Sequence, residues 1–167
     1  MASETLSEAT LQRLAQKGHQ ALSLYHTCSQ CTFYALSDEF NLDRGPILKA
    51  LTPFPGLGGR GETCGAVIGC LMAIGLVYGS DDPADKKAFY NTLPAARSFC
   101  SRFVERNGST ACGKILEARL GFSVDFADSD QVRAYWAAAG HKGCSELVIS
   151  AIQMAAQVIA GGRRVAD

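Results

Sequence analysis

The stretch TCGAVIGCLMAIGLVY, Thr63–Tyr78, constrains the fold more than any other part of the chain. Its run Ala66–Tyr78 is thirteen residues without a charge. A bilayer span needs about 20 residues, so the run is too short to cross one. A helix that is apolar on nearly all sides must instead be covered on all sides. The pattern therefore predicts a central helix over Thr63–Tyr78, closed by Gly79, with other elements packed around it. Gly65 and Gly69 stand four apart, as do Gly75 and Gly79. Small residues at that spacing let a neighbouring backbone come close. The second long apolar run, Leu147–Ile159, is also thirteen residues and reads as another buried helix.

The rest of the chain is dominated by helix signals. Over about Glu8–Tyr25, residues Leu11, Leu14, Ala15, Ala21, Leu22 and Tyr25 recur at mostly helical spacing. Cys28–Phe40 repeats the pattern with Cys31, Ala35, Leu36 and Phe40, and Arg44–Leu51 suits a short helix. Pro83, after Ser80–Asp82, starts a helix that reaches Arg106 and turns Phe89, Leu93, Ala96, Cys100, Phe103 and Val104 toward the core. Pro94 should kink or divide it. Ala111–Leu120 stops at Gly121, and Phe122–Asp130 reads as a loop. Val132–Ala139 ends at Gly140. Ser145–Ala160 sets Glu146, Ser150, Gln153 and Gln157 opposite Leu147, Ile152, Ala155 and Ile159. With no repeat and no linker, the expectation is one all-α domain over residues 1–167. It has six to eight helices around Thr63–Tyr78.

Sixteen basic residues balance sixteen acidic ones. Such a chain is a poor match for nucleic acid or an anionic membrane surface. The start MASETLSEATLQRLAQ lacks the charged head and apolar core of a signal peptide. The expected location is the cytoplasm. Seven cysteines is an odd number, which argues against a secreted disulfide framework. In a reducing compartment they point to metal ligands, redox chemistry or small buried apolar residues.

GLGGRG, Gly56–Gly61, spells the G-x-G-x-x-G of a dinucleotide loop. That motif requires a preceding strand in a βαβ unit. Here Pro53-Phe54-Pro55 precedes it, no strand pattern surrounds it, and the nucleotide reading fails on context. A flexible turn, or a ring of backbone N–H groups around an anion, are the alternatives.

Four cysteines share a setting. Cys28, Cys64, Cys112 and Cys144 each stand near an expected helix N-terminus, behind a capping residue or glycine. A helix start carries about half a positive charge and free N–H groups, which lower a thiol pKa and hold an anion. An iron–sulfur cluster on four thiolates is such an anion. The intervals between them match no ferredoxin or zinc-finger signature. Cys70 and Cys100 lie inside helices on apolar faces and read as core. Cys28-Ser29-Gln30-Cys31 forms a C-x-x-C, the spacing of thiol–disulfide exchange, without the usual βαβ surroundings. His26 and His141, each near one of the four, are potential ligands or donors to sulfur, or merely exposed. Arg60 and Glu62 flank Cys64, where Arg60 either tunes an anionic site or is solvated.

These residues resemble the C_GCAxxG_C_C family of redox-active proteins, named for its cysteine pattern. The matching pieces are Cys28-Ser29-Gln30, then Gly61-Glu62-Thr63-Cys64-Gly65-Ala66-Val67-Ile68-Gly69, then Met72–Gly79, Phe103, Gly108-Ser109-Thr110-Ala111-Cys112, and Cys144 before an apolar helix. The resemblance implies that Cys28, Cys64, Cys112 and Cys144 are the family's four cysteines. Split-Soret cytochromes c contain a similar domain, with four cysteines lining an iron–sulfur pocket; this chain lacks their C-x-x-C-H haem attachment. The expectation is a small electron-transfer or redox-sensing protein, rather than an enzyme with its own substrate. It would hold an iron–sulfur cluster of 2Fe–2S type on those four cysteines. Gly65 and Ala66 would let backbone approach the cluster, and Gly56–Gly61 would wrap its edge. The alternatives are a thiol–disulfide oxidoreductase using Cys28 with Cys31 or a pair of the four, and a zinc-stabilised binding domain. A redox partner protein and a homodimer are the expected associations.

Overall fold

Nine helices follow one another in the computed structural model, which describes residues 6–138 and 140–162. They are α1 (Glu8–Tyr25), α2 (Cys28–Glu39), α3 (Gly45–Ala50), α4 (Gly56–Gly59), α5 (Gly65–Tyr78), α6 (Lys86–Asn107), α7 (Cys112–Leu120), α8 (Ser129–Ala137) and α9 (Gly140–Gly162). Eight of these answer to the helices expected from the sequence. The ninth, α4, is a single distorted turn inside the glycine-rich stretch, with Leu57 and Gly58 in left-handed conformation. No strand forms among the described residues, where one isolated antiparallel bridge joins Thr63 to Ala111. The expected C-terminal end of α8, Ala139, lies outside them.

Helix α5 is central, as its composition requires. It packs against α2, α6 and α9, and Ala66, Val67, Cys70, Ala73 and Ile74 are all buried. Its two glycine pairs behave differently. A Cβ on Gly65 would stand 2.5 Å from Cys28 Sγ and 3.1 Å from Ser29 N, and one on Gly69 would overlap Ser29 O and Thr32 Oγ1. The start of α2 thus rests directly on the α5 backbone. Gly75 faces open space, so the expected close approach there does not occur.

The main core joins Leu14 of α1, Phe33 and Leu36 of α2, Phe99 and Phe103 of α6, and Val148, Ile152 and Ile159 of α9. Burying each such side chain contributes about 1.5–3 kcal/mol. On α6 only the Phe99–Phe103 pair is fully buried, whereas Phe89 and Val104, expected inside, are exposed. Phe89 packs instead on its neighbour Tyr90. Pro94 does not divide α6, which runs through it. A smaller cluster of Leu116, Val124 and Tyr135 lies on α7, α8 and the segment between them.

Helix α9 is longer than its apolar run suggests. At 23 residues it is long and apolar enough to cross a membrane by length and composition alone. In the fold it lies among α1, α2, α5 and α6. Even Ser150, on its expected polar face, is buried, and its hydroxyl donates to Leu147 O.

Candidate functional site

Where the main core meets the smaller cluster there is a cavity of about 370 Å³. Cys28, Cys64, Cys112 and Cys144 all line it, so four residues far apart in sequence meet in one place. Each arrives by a local device. Cys28 is the first residue of α2, behind Thr27. Its neighbours fix it: Ser29 Oγ donates to Leu51 O at 2.9 Å, and Gln30 Nε2 donates to Leu48 O at 2.8 Å. Ser29 and Gln30 therefore tie Cys28 to the α3 segment. Cys64 is the N-cap of α5; its side chain makes no cap hydrogen bond, and the nearby N–H groups of Ala66 and Val67 only favour its charged form. Cys112 opens α7.

The bridge between Thr63 and Ala111 holds the last two side by side. Cys64 N donates to Thr110 O at 2.8 Å, and Cys112 N donates to Glu62 O at 2.6 Å. Gly113 N donates to Gly61 O at 2.7 Å. The glycine stretch thus delivers the chain into a backbone pairing that places two cysteines together. Gly61 packs on Gly113, Gly65 makes room for Cys28, and Ala66 is fully buried in the first turn of α5. The glycine wall of the cavity is Gly56, Gly58 and Gly59.

Cys144 corrects one expectation. Helix α9 starts at Gly140, so Cys144 sits a turn inside the helix rather than at its start. Its hydrogen bond comes from a side chain, the Tyr135 hydroxyl. Arg119 of α7 lies beside it and beside Cys64.

Electrostatics correct another expectation. Burial pushes the Cys64 thiol up to about 11, against the opposing pull of the Ala66 and Val67 N–H groups. Burial, then Cys64 and Cys144, push Cys112 up to about 12. Cys28 is raised well above the thiol range by burial and by the other three cysteines. Cys144 is raised by burial despite Tyr135 and Arg119. A helix start lowers a thiol pKa and burial raises it; here desolvation wins. Without a counter-charge the four groups are neutral thiols.

The far wall is aromatic, and the sequence reading missed it. Phe126, Tyr135 and Trp136 line the cavity with His26 and His141. Trp136 stacks on His141 at 5.1 Å and meets His26 edge-on at 5.6 Å. The two histidines are thus exposed rim residues around Trp136. Cys31 is elsewhere: it is 1% exposed, and its N–H donates to Thr27 O at 2.9 Å at the start of α2. Cys70 is core, as expected, and Cys100 is partly buried against it. Arg60 pairs with Glu62 at 2.8 Å on the surface. Among the described residues, no three His, Cys, Asp or Glu side chains converge closely enough to hold one metal ion.

Residues 26–158 match the family described as "Putative redox-active protein (C_GCAxxG_C_C)". The chain belongs to that family. The match begins at His26, beside Cys28, and takes in all four cavity cysteines. No curated protein and no solved structure matches the chain.

Proposed function

We propose that the cavity holds an iron–sulfur cluster of 2Fe–2S type on Cys28, Cys64, Cys112 and Cys144, and that the protein transfers electrons or senses redox state in the cytoplasm. The observation that carries this reading is the convergence of four thiols from four helices on one cavity of about 370 Å³. Soft thiolates suit iron–sulfur clusters.

When bound, such a cluster supplies one-electron chemistry. The chain's own residues supply the rest. The N–H groups of Ala66 and Val67 near Cys64, and that of Ser29 near Cys28, favour the charged form of each sulfur. Arg119 adds a positive charge near Cys64 and Cys144. Ile115, Leu116, Leu147 and Val148 keep the walls apolar. Exchange between Cys28 and Cys31 has less support, because Cys31 is buried against Thr27, outside the cavity.

Anaerobic reconstitution with ferrous iron and sulfide tests the reading. About two irons and two acid-labile sulfides per chain should bind, with visible absorption. Serine at any of the four positions should abolish loading, and Cys100→Ser should not. A colourless chain without iron or sulfide refutes it; zinc at one per chain would replace it with the zinc reading.

A further inference from the structure

The four sulfurs are not held alike, and the difference is concentrated at Cys144. Tyr135 comes from another helix, is 6% exposed, lines the cavity with Cys144, which packs against its cluster, and its hydroxyl favours the charged form of the Cys144 sulfur. The ring has no room to turn away. A Cβ on Gly140 would overlap it, and Phe126 meets it edge-on at 5.4 Å. Arg119 is clamped as well. Its Nη1 donates to Gly143 O at 2.6 Å and its Nη2 to Asn107 Oδ1 at 2.9 Å. The guanidinium is thereby fixed between α9 and the end of α6. The two glycines of Gly140-His141-Lys142-Gly143-Cys144 thus have separate uses: one admits the Tyr135 ring, and the other presents its carbonyl to Arg119.

We infer that Tyr135 and Arg119 are positioning residues that set the reduction potential of the centre through the Cys144 sulfur. This rests on the cluster reading above. Reduction adds one electron to the centre and breaks no bond, and Tyr135 keeps its proton. A hydroxyl and a cation already aimed at the sulfur favour the more negative, reduced form, since hydrogen bonds to cluster sulfurs are one determinant of potential. Removing either should make the potential more negative.

The test is a dithionite titration of the reconstituted full chain, with mediators, for wild type, Tyr135→Phe, Arg119→Gln and Arg119→Lys. Tyr135→Phe keeps the ring and its packing. It should lower the equilibrium constant for reduction about tenfold, or 59 mV for one electron. Arg119→Gln should shift it the same way, and Arg119→Lys should restore most of it. Resonance Raman gives a second readout. The iron–thiolate bands should shift in D₂O for wild type, and less so for Tyr135→Phe. A fully loaded Tyr135→Phe chain with wild-type potential and wild-type D₂O shift overturns the inference alone. A wild-type chain that takes up no iron and sulfide overturns the cluster reading and the inference with it.

Discussion

Alanine at Gly69 and alanine at Gly75 should move stability in opposite directions. Both glycines lie within α5, and both substitutions gain the same helix propensity, about 1 kcal/mol. At Gly75 the new methyl meets nothing within 4 Å, so Gly75→Ala should stabilise by about that amount. At Gly69 the methyl would land on Ser29 O and Thr32 Oγ1. Thr32 cannot yield freely, because its hydroxyl donates to Cys28 O at 2.9 Å. Ser29 O is backbone, so α2 itself must shift. Overpacking of this kind costs about 1–3 kcal/mol. Since the propensity gain cancels between the two variants, their difference in unfolding free energy reads the α2–α5 contact directly. For a chain of this size it amounts to about 2–12 °C in Tm. Urea unfolding of the reduced, metal-free chains, followed by circular dichroism, measures it. The slope with urea should stay constant, showing that only stability changed. Gly69→Ala should also take up less iron, because Cys28 rides on the displaced end of α2. Equal stabilisation by both substitutions would refute the reasoning, since α2 would then not rest on Gly69.

Two further expectations follow from the buried thiols and the aromatic wall. Cys64 is raised from 9.0 to about 11, so the stability linked to its neutral thiol is intact below about pH 9 and declines as the pH rises toward 11. The full loss is about 3 kcal/mol for this group; urea unfolding at about pH 8 and pH 10.5 should show the decline, and Cys64→Ala should show less of it, whereas identical slopes would contradict the assignment. Trp136 is the sole tryptophan and lines the cavity. Its emission should be quenched as iron and sulfide load, and unchanged emission at full loading would place the centre elsewhere.

The central helix was legible because an uncharged thirteen-residue run leaves a short chain few other places to put it. That Cys28, Cys64 and Cys112 stand near helix starts was legible from the glycines and capping residues before them, though the exact starts of α5 and α7 came one or two residues later than expected. Cys144 was misplaced for a physical reason. Gly140 and Gly143 read as helix breakers, but in the fold both are helical: Gly140 is kept small by the Tyr135 ring, and the Gly143 carbonyl accepts from Arg119. Nothing local distinguishes those two uses of glycine. The aromatic wall was missed because Phe126 sits in an irregular segment, and Tyr135 becomes polar-functional only through a partner on another helix. One signal was present: Asp128 caps α8 through the N–H groups of Asp130 and Gln131, and that cap would have extended the helix toward its true start. Arg119 left no trace, since its partners are a carbonyl and an asparagine rather than a carboxylate.

The sequence argument expected helix starts to do the electrostatic work, and magnitudes decide otherwise. A helix start contributes about 0.3–1 kcal/mol to a nearby anion, up to about 2 in a partly buried site. Raising Cys64 by about two units despite two N–H donors means that burial outweighs that contribution by roughly 3 kcal/mol. The N–H groups of Ala66, Val67 and Ser29 therefore offset only part of the cost of burying these sulfurs. On the cluster reading, the charge that ionises the thiols would come from the iron, with Arg119 as a partial helper. Loading the cavity with cations would then release protons, and affinity would rise with pH. On that reading, the apolar walls that keep the thiols neutral would also make a four-thiolate site dependent on its metal.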